Sequence, residues 1–253
     1  MKSTRQKRKQ LRLTKRDMSI LSHVQLYGMV WFDVLHQVFF PGKHPDAVKS
    51  TLRRLCGKGY CQRVLYSHSM DSRRVCYQLT LAGTRILNAS PGLARSLGRT
   101  AIARRYALQW FVCLEGSATR VLVRNDDLAA SFPSIDRRLP QANFYKAKTS
   151  SGVRLGYAVI DYGSDVRRAR GRILKRADDF VASGWFKGLI ASQALEFSVL
   201  TLPDGKSKSI QRKLREYCHV EDEQIFLVVK NARVRVNFVV VEGLSELIAD
   251  PRK

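Results

Sequence analysis

Apolar positions in the first third of the chain recur with a helical period. Over residues 14–27 a stripe of Met18, Leu21, Val24 and Leu26 predicts a helix. Thr14 and Asp17 supply a capping-box start, and Gly28 supplies a stop. WFDVLHQVFF predicts a second short helix with Phe32, Leu35 and Phe39 inward, and PGK breaks the chain after it. In HPDAVKSTLRRLCGKG, Pro45 and Asp46 suit a first helical turn, and Val48, Leu52 and Leu55 recur at i, i+4 and i+7. That spacing turns Lys49, Ser50, Arg53 and Arg54 outward, and Gly57 and Gly59 close the helix. YCQRVLYS and RVCYQLT then predict two short strands around the polar loop HSMDSR, and TLAGTRIL predicts a further helix.

The turn residues NASPG open the next segment, which becomes helical through Ile102, Tyr106, Leu108 and Val112 as far as Glu115. From Arg120 onward, strands and helices alternate. ANFYKAKTSSGVRLGYAVIDYGS reads as a hairpin, VRRARGRILKRADDFVAS as a basic helix and LEFSVLTLP as a buried strand. SKSIQRKLREYC is an amphipathic helix with Ile210, Leu214 and Tyr217 inward, and IFLVV, RVNFVVV and LSELIAD add strands and a short helix. This order predicts an α/β (α+β) fold. It divides the chain into a basic arm (1–13), a first module (14–90), a linker helix (91–118) and a second, α/β module (119–253).

Charge changes the picture more than size does. The 253 residues hold 45 Lys+Arg against 21 Asp+Glu, a formal net charge of +24. Such an excess implies a polyanionic partner, nucleic acid first and an anionic membrane second. Residues 1–90 alone hold 17 basic and 4 acidic side chains. No apolar run approaches 18 residues, and no apolar stretch follows the basic N-terminus, so the expectation is a cytoplasmic protein without membrane insertion. The cysteines at 56, 61, 76, 113 and 218 form no C-x-x-C. They read as small buried residues in a reducing compartment; Cys56, Cys61 and Cys76, with His68 among them, are the set a zinc site would draw on.

Three helices, a hairpin with a basic loop, and YQLTLAG leading into a helix resemble a winged helix-turn-helix. The resemblance implies that the third helix enters a DNA major groove. Lys49, Ser50, Arg53, Arg54 and Lys58 would then approach bases or phosphates, with Arg73 and Arg74 on the wing. A winged helix used for protein contacts is the alternative.

The second half resembles the nuclease-like domain of the replication-relaxation family, winged-helix proteins of plasmids and other mobile elements. In that family a hairpin begins near Pro-Asp, its second strand ends in Glu-x-Asp-x-Gly-Thr, and a helix carrying a Lys follows. Here Pro140-Gln141, Val159-Ile160-Asp161-Tyr162-Gly163-Ser164 and Lys175 stand at those places. The resemblance therefore implies a PD-(D/E)-x-K nuclease-like domain that keeps Asp161 and Lys175 and lacks the acids at 141 and 159. Mg²⁺ needs converging hard oxygen ligands, so an inactive domain without a cofactor is expected. A rearranged site drawing on Asp165 or Glu115 would instead make a Mg²⁺-dependent endonuclease or nickase. Tyr145, Tyr157 and Tyr162 lack the histidines that tyrosine-dependent nicking wants. Arg168, Arg172 and Lys175 on the basic helix would add phosphate contacts.

The expected function is that of a double-stranded DNA-binding accessory or regulatory protein of a bacterial mobile element, in plasmid replication, mobilisation or transcription control. An adaptor for replication, transfer or transcription proteins is the further alternative. Oligomeric state and target sequence stay open.

Overall fold

The computed structural model describes residues 13–67, 73–115, 119–124, 127–128, 143–150, 152–161, 163–202 and 205–248. Residues 1–12 of the basic arm, the loop 68–72 with His68, Pro140, Gln141 and Tyr162 lie outside them. Among the described residues the chain is a mixed α/β fold with two sheets.

The first helix, α1 (Lys15–Tyr27), starts on the anticipated box. Thr14 Oγ1 accepts from Asp17 N at 3.1 Å, and the Asp17 carboxylate accepts from Thr14 N at 2.8 Å. Gly28 ends it in the left-handed region, φ +73°. A Cβ there would also displace the Arg105 guanidinium, but the left-handed φ is what calls for glycine. A two-residue strand, β1 (Val30–Trp31), follows and leads into α2 (Phe32–Phe39) and α3 (Pro45–Gly57). β2 (Cys61–Ser67) and β3 (Arg73–Leu79) form the expected hairpin, and β1 joins it to give an antiparallel sheet in the order β1-β3-β2. In α2 the wholly buried side chains are Val34 and Leu35, whereas Phe32 and Phe39, expected inward, are only half-buried. The helix has 8 residues and packs on one turn, so its first and last rings stay at the rim.

After α4 (Leu81–Ile86), the segment read as a linker becomes α5 (Arg99–Gln109), extended by a π-turn over Trp110–Leu114. It lies within the core. Ile102, Ala103, Tyr106, Ala107 and Phe111 share one buried cluster with Leu21, Val24 and Leu35 of the first module and with Tyr145, Ala158, Ile160 and Leu200 of the second. Polar groups on α5 join the halves as well. Gln109 is wholly buried; its amide accepts from Trp31 N at 3.4 Å and donates to Met29 O, satisfying a backbone group of β1 and one just before it. Tyr106 OH donates to Glu242 O at 2.8 Å.

The large sheet runs in the order β4 (Arg120–Leu122), β5 (Phe144–Thr149), β6 (Gly152–Ile160), β7 (Leu195–Thr201), β10 (Ala232–Val240), β9 (Gln224–Val229), β8 (Cys218–Glu221). β6, β7 and β10 are parallel, and antiparallel strands flank them on both sides. Alternation along the strands sorts the faces. Phe144, Tyr157, Phe197 and Val199 meet α6 (Val166–Ala182) and α8 (Lys206–Leu214), while Tyr145, Ala158, Ile160 and Leu200 meet α5. β7 is buried along its whole length, as a central strand covered on both faces should be. Its polar residues are paired: Tyr145 OH donates to Glu196 Oε1 at 2.7 Å and shares a 2.6 Å hydrogen bond with Ser198 Oγ. The Tyr145 ring lies against Gly156 so closely that a Cβ there would overlap it. Two short helices complete the chain, α7 (Lys187–Ala191) before β7 and α9 (Leu244–Ile248) after β10.

Candidate nucleic-acid interface

α3 is fixed from one side and open on the other. Val48, Leu52 and Leu55 are buried, as their spacing demands, while Lys49, Ser50 and Arg53 are exposed. Arg54, expected to face outward with them, does not. Its Nη1 lies 2.7 Å from Asp17 Oδ2 and its Nη2 2.5 Å from Oδ1, a two-point ion pair to a carboxylate only 1 % exposed. One residue is a 100° step around a helix, and that step carries Arg54 from the open face to the seam with α1. The guanidinium holds the Asp17 carboxyl down to about 2, against the upward push of burial. Arg54 therefore locks α3 to α1.

Lys49 Nζ lies 3.0 Å from Asp46 Oδ1 in an exposed i, i+3 pair, which any phosphate can exchange at little cost. Lys58 sits at the C-terminal cap of α3, half-buried. Arg73 and Arg74 open β3 opposite Ser67 and Tyr66, at the tip of the hairpin. Their side chains lie outside the described residues.

Sequence reasoning missed the hollow beside this helix. A groove of about 830 Å³ runs between α3, the hairpin and α5. Lys49 and Arg53 line it from α3, Arg63 and Tyr77 from the hairpin, Phe32 from α2 and Trp110 from the π-turn. The lining residues run from position 31 to position 243, so no local pattern announces it.

Cys61 and Cys76 are buried core residues, whereas Cys56, Cys113 and Cys218 are half-buried. Burial pushes the thiols of Cys61 and Cys76 up to about 12, which keeps them protonated. Among the described residues no three His, Cys, Asp or Glu side chains come together as a metal site would require. His68 lies outside them.

In the second half, Asp161 follows the last residue of β6, its side chain 3 % exposed. Ser164 Oγ donates to its Oδ1 at 2.8 Å and Arg172 Nη2 at 3.1 Å, while Lys206 Nζ lies 2.7 Å from Oδ2. A guanidinium and an ammonium thus occupy the space around the carboxylate. Lys175, the expected partner, is elsewhere: it pairs with Asp179 at 3.3 Å in an exposed i, i+4 contact. It lies three residues beyond Arg172, about 4.5 Å farther along α6. Val159 is half-buried and packs against the apolar cluster under α6. Asp165 caps α6 by accepting from Arg168 N at 2.8 Å, and Glu115 pairs with Arg120, so both carboxylates have partners of their own. Lys206 has a signal in hindsight. β6 and β7 are parallel neighbours, so the residues just past their C-terminal ends meet.

Among the cations of α6, Arg168 is exposed beside Asp165, Arg170 reaches Glu216 at 3.3 Å, and Arg176 lies 5.7 Å over the Tyr157 ring. Among the described residues no helix is long and apolar enough to cross a membrane. Comparison with family models, with curated protein sequences and with solved structures finds no match.

Proposed function

We propose that this protein binds double-stranded DNA through α3, the first module acting as a winged helix-turn-helix and its hairpin as the wing. The observation that carries the reading is the single face of α3 on which Lys49, Ser50 and Arg53 stand exposed. The opposite face is held by Leu52, Leu55 and the Arg54–Asp17 pair, so the open face is presented rigidly. An α-helix fits the major groove, and arginine and lysine there reach guanine edges or phosphates. The net charge of +24 supplies the non-specific part of the affinity.

The second half reads as a nuclease-like domain that has lost its chemistry. The order hairpin, helix, parallel strand, basic helix (β5, β6, α6, β7, α8) supports the resemblance. Asp161 is neutralised by Arg172 and Lys206, and an apolar Val159, packed against the cluster under α6, stands where a second acid is expected, which supports a domain that contacts DNA or partner proteins and leaves phosphodiesters intact. The role is accessory or regulatory, on a bacterial mobile element, in plasmid replication, mobilisation or transcription control.

The test is Arg53→Ala on duplexes selected from a random pool. It weakens binding to the selected sequence by about 1–3 kcal/mol, and binding to random duplex by less. Equal losses on both make Arg53 a phosphate clamp, and no loss on either removes α3 from the interface.

A further inference from the structure

The groove beside α3 has a shape that duplex recognition does not use. A major groove receives a convex ridge, and the bases of a duplex present only their edges to protein. A hollow walled by aromatic rings suits the flat face of an unstacked base. Phe32, Tyr77 and Trp110 come from three separate elements to line it, and Lys49, Arg53 and Arg63 add three cations. Its volume of about 830 Å³ falls within the range of small-ligand sites, roughly 300–1,000 Å³.

Two further observations single it out. Trp31, also in the lining, is 4 % exposed, and its indole N–H has no hydrogen-bond partner among the described residues. A buried tryptophan N–H ordinarily finds one. The helix that supplies Trp110 also gives up its regular bonding at the groove, where Glu115 N donates to Trp110 O at 2.8 Å, five residues back. In an α-helix each four-residue step drifts by about 40° around the axis. The wider π-turn offsets that drift and keeps Tyr106, Trp110 and Leu114 aligned along the groove. Such turns recur at functional sites.

We propose that this groove binds an unpaired nucleotide, its base against the aromatic wall and its phosphate on Lys49, Arg53 and Arg63. Asp33 and Glu242, the carboxylates in the lining, repel phosphate and accept from the exocyclic amino groups of a base. The same chemistry serves a free nucleotide or an unpaired position in a DNA strand. Only the second source rests on the DNA reading above.

The experiment uses the full chain and three probes containing 2-aminopurine, whose emission changes when it stacks: the free deoxynucleotide monophosphate, a short single strand, and a blunt duplex. The wild-type protein changes the emission of the single strand. Trp110→Ala weakens that binding about 5- to 100-fold and leaves duplex affinity unaltered. Should Trp110→Ala fail to fold by thermal melting, Phe32→Ala gives the same comparison. A response to the free monophosphate at similar affinity assigns the site to small nucleotides, and a response to the strand alone assigns it to DNA. If neither probe responds while the duplex still binds, the groove proposal is overturned and the duplex reading stands. If the strand responds and the duplex does not bind, the groove stands and the duplex reading falls.

Discussion

Replacing Asp17 by Asn removes one charge and keeps the shape and the cap, because the amide oxygen can still accept from Thr14 N. The structure sets the size of the effect. Asp17 is 1 % exposed and its carboxyl is held down from 3.8 to about 2, chiefly by the Arg54 guanidinium. At about 1.36 kcal/mol per pH unit this displacement corresponds to about 2.5 kcal/mol of stability. Breaking a buried pair generally costs about 3–5 kcal/mol. Arg54 is 34 % exposed and can turn to water, which places this pair at or below the bottom of that range. The sign with pH follows from the lowered value. The contribution is complete above the unfolded carboxyl's 3.8 and is lost as pH falls towards about 2. Urea unfolding of wild type and Asp17→Asn should therefore differ by about 2.5 kcal/mol at pH 7, with the gap closing between about pH 4 and pH 2. Taking the difference cancels every titration the two proteins share. The double variant Asp17→Asn/Arg54→Met should be more stable than the sum of the single losses allows. A gap below about 0.5 kcal/mol at pH 7, the size typical of a surface pair, would refute the argument that this pair holds α3 to α1.

Three further outcomes can be checked directly. Burial lowers the His23 imidazole to about 4 among Tyr27 and Phe39, so the folded state keeps it neutral while the unfolded chain protonates near 6.5. Stability should fall as pH drops from about 6.5 towards 4, and His23→Leu should flatten that part of a thermal-melt profile; an unchanged profile removes His23 as its cause. Asp161→Ala strips the carboxylate shared by Arg172 and Lys206, and denaturant unfolding should register a loss of about 3 kcal/mol with duplex affinity unaltered. Wild-type protein should leave supercoiled plasmid intact with Mg²⁺ or Mn²⁺, and nicking that Asp161→Ala abolishes would establish a rearranged active site.

The sequence made the local elements legible wherever a single face decides them. Val48, Leu52 and Leu55 marked the buried side of α3, and Thr14, Asp17 and Gly28 marked both ends of α1. What depended on a neighbour was not legible. Arg53 and Arg54 are alike by residue type and near-alike by position, and only the place of α1 separates an exposed cation from a locked one. Asp17 was readable as a cap but not as the acid that claims Arg54, because that pairing spans 37 residues. β1 is two residues long, too short for alternation to show, and Gln109, which serves its neighbouring backbone groups, gives no signal of that use. Cys218–Glu221 has no buried face, so β8 left no apolar pattern. Lys206 reached Asp161 only through the parallel pairing of β6 with β7, which a hydropathy pattern does not specify.

The central claim is that α3 presents Lys49 and Arg53 to duplex DNA. The most direct measurement is the salt dependence of duplex binding by wild type and by Lys49→Ala/Arg53→Ala, followed by fluorescence anisotropy over a series of salt concentrations. Each phosphate contact adds about −0.9 to the slope of log K against log salt, so the wild-type slope should be about −5 or steeper. If both side chains contact phosphate, the double variant should bind more weakly, with a slope shallower by about 1.8. If Arg53 reads a base instead, the slope changes by about half as much and preference for the selected sequence declines. A shallow wild-type slope, or a double variant that matches wild type in affinity, slope and sequence preference, would contradict the claim.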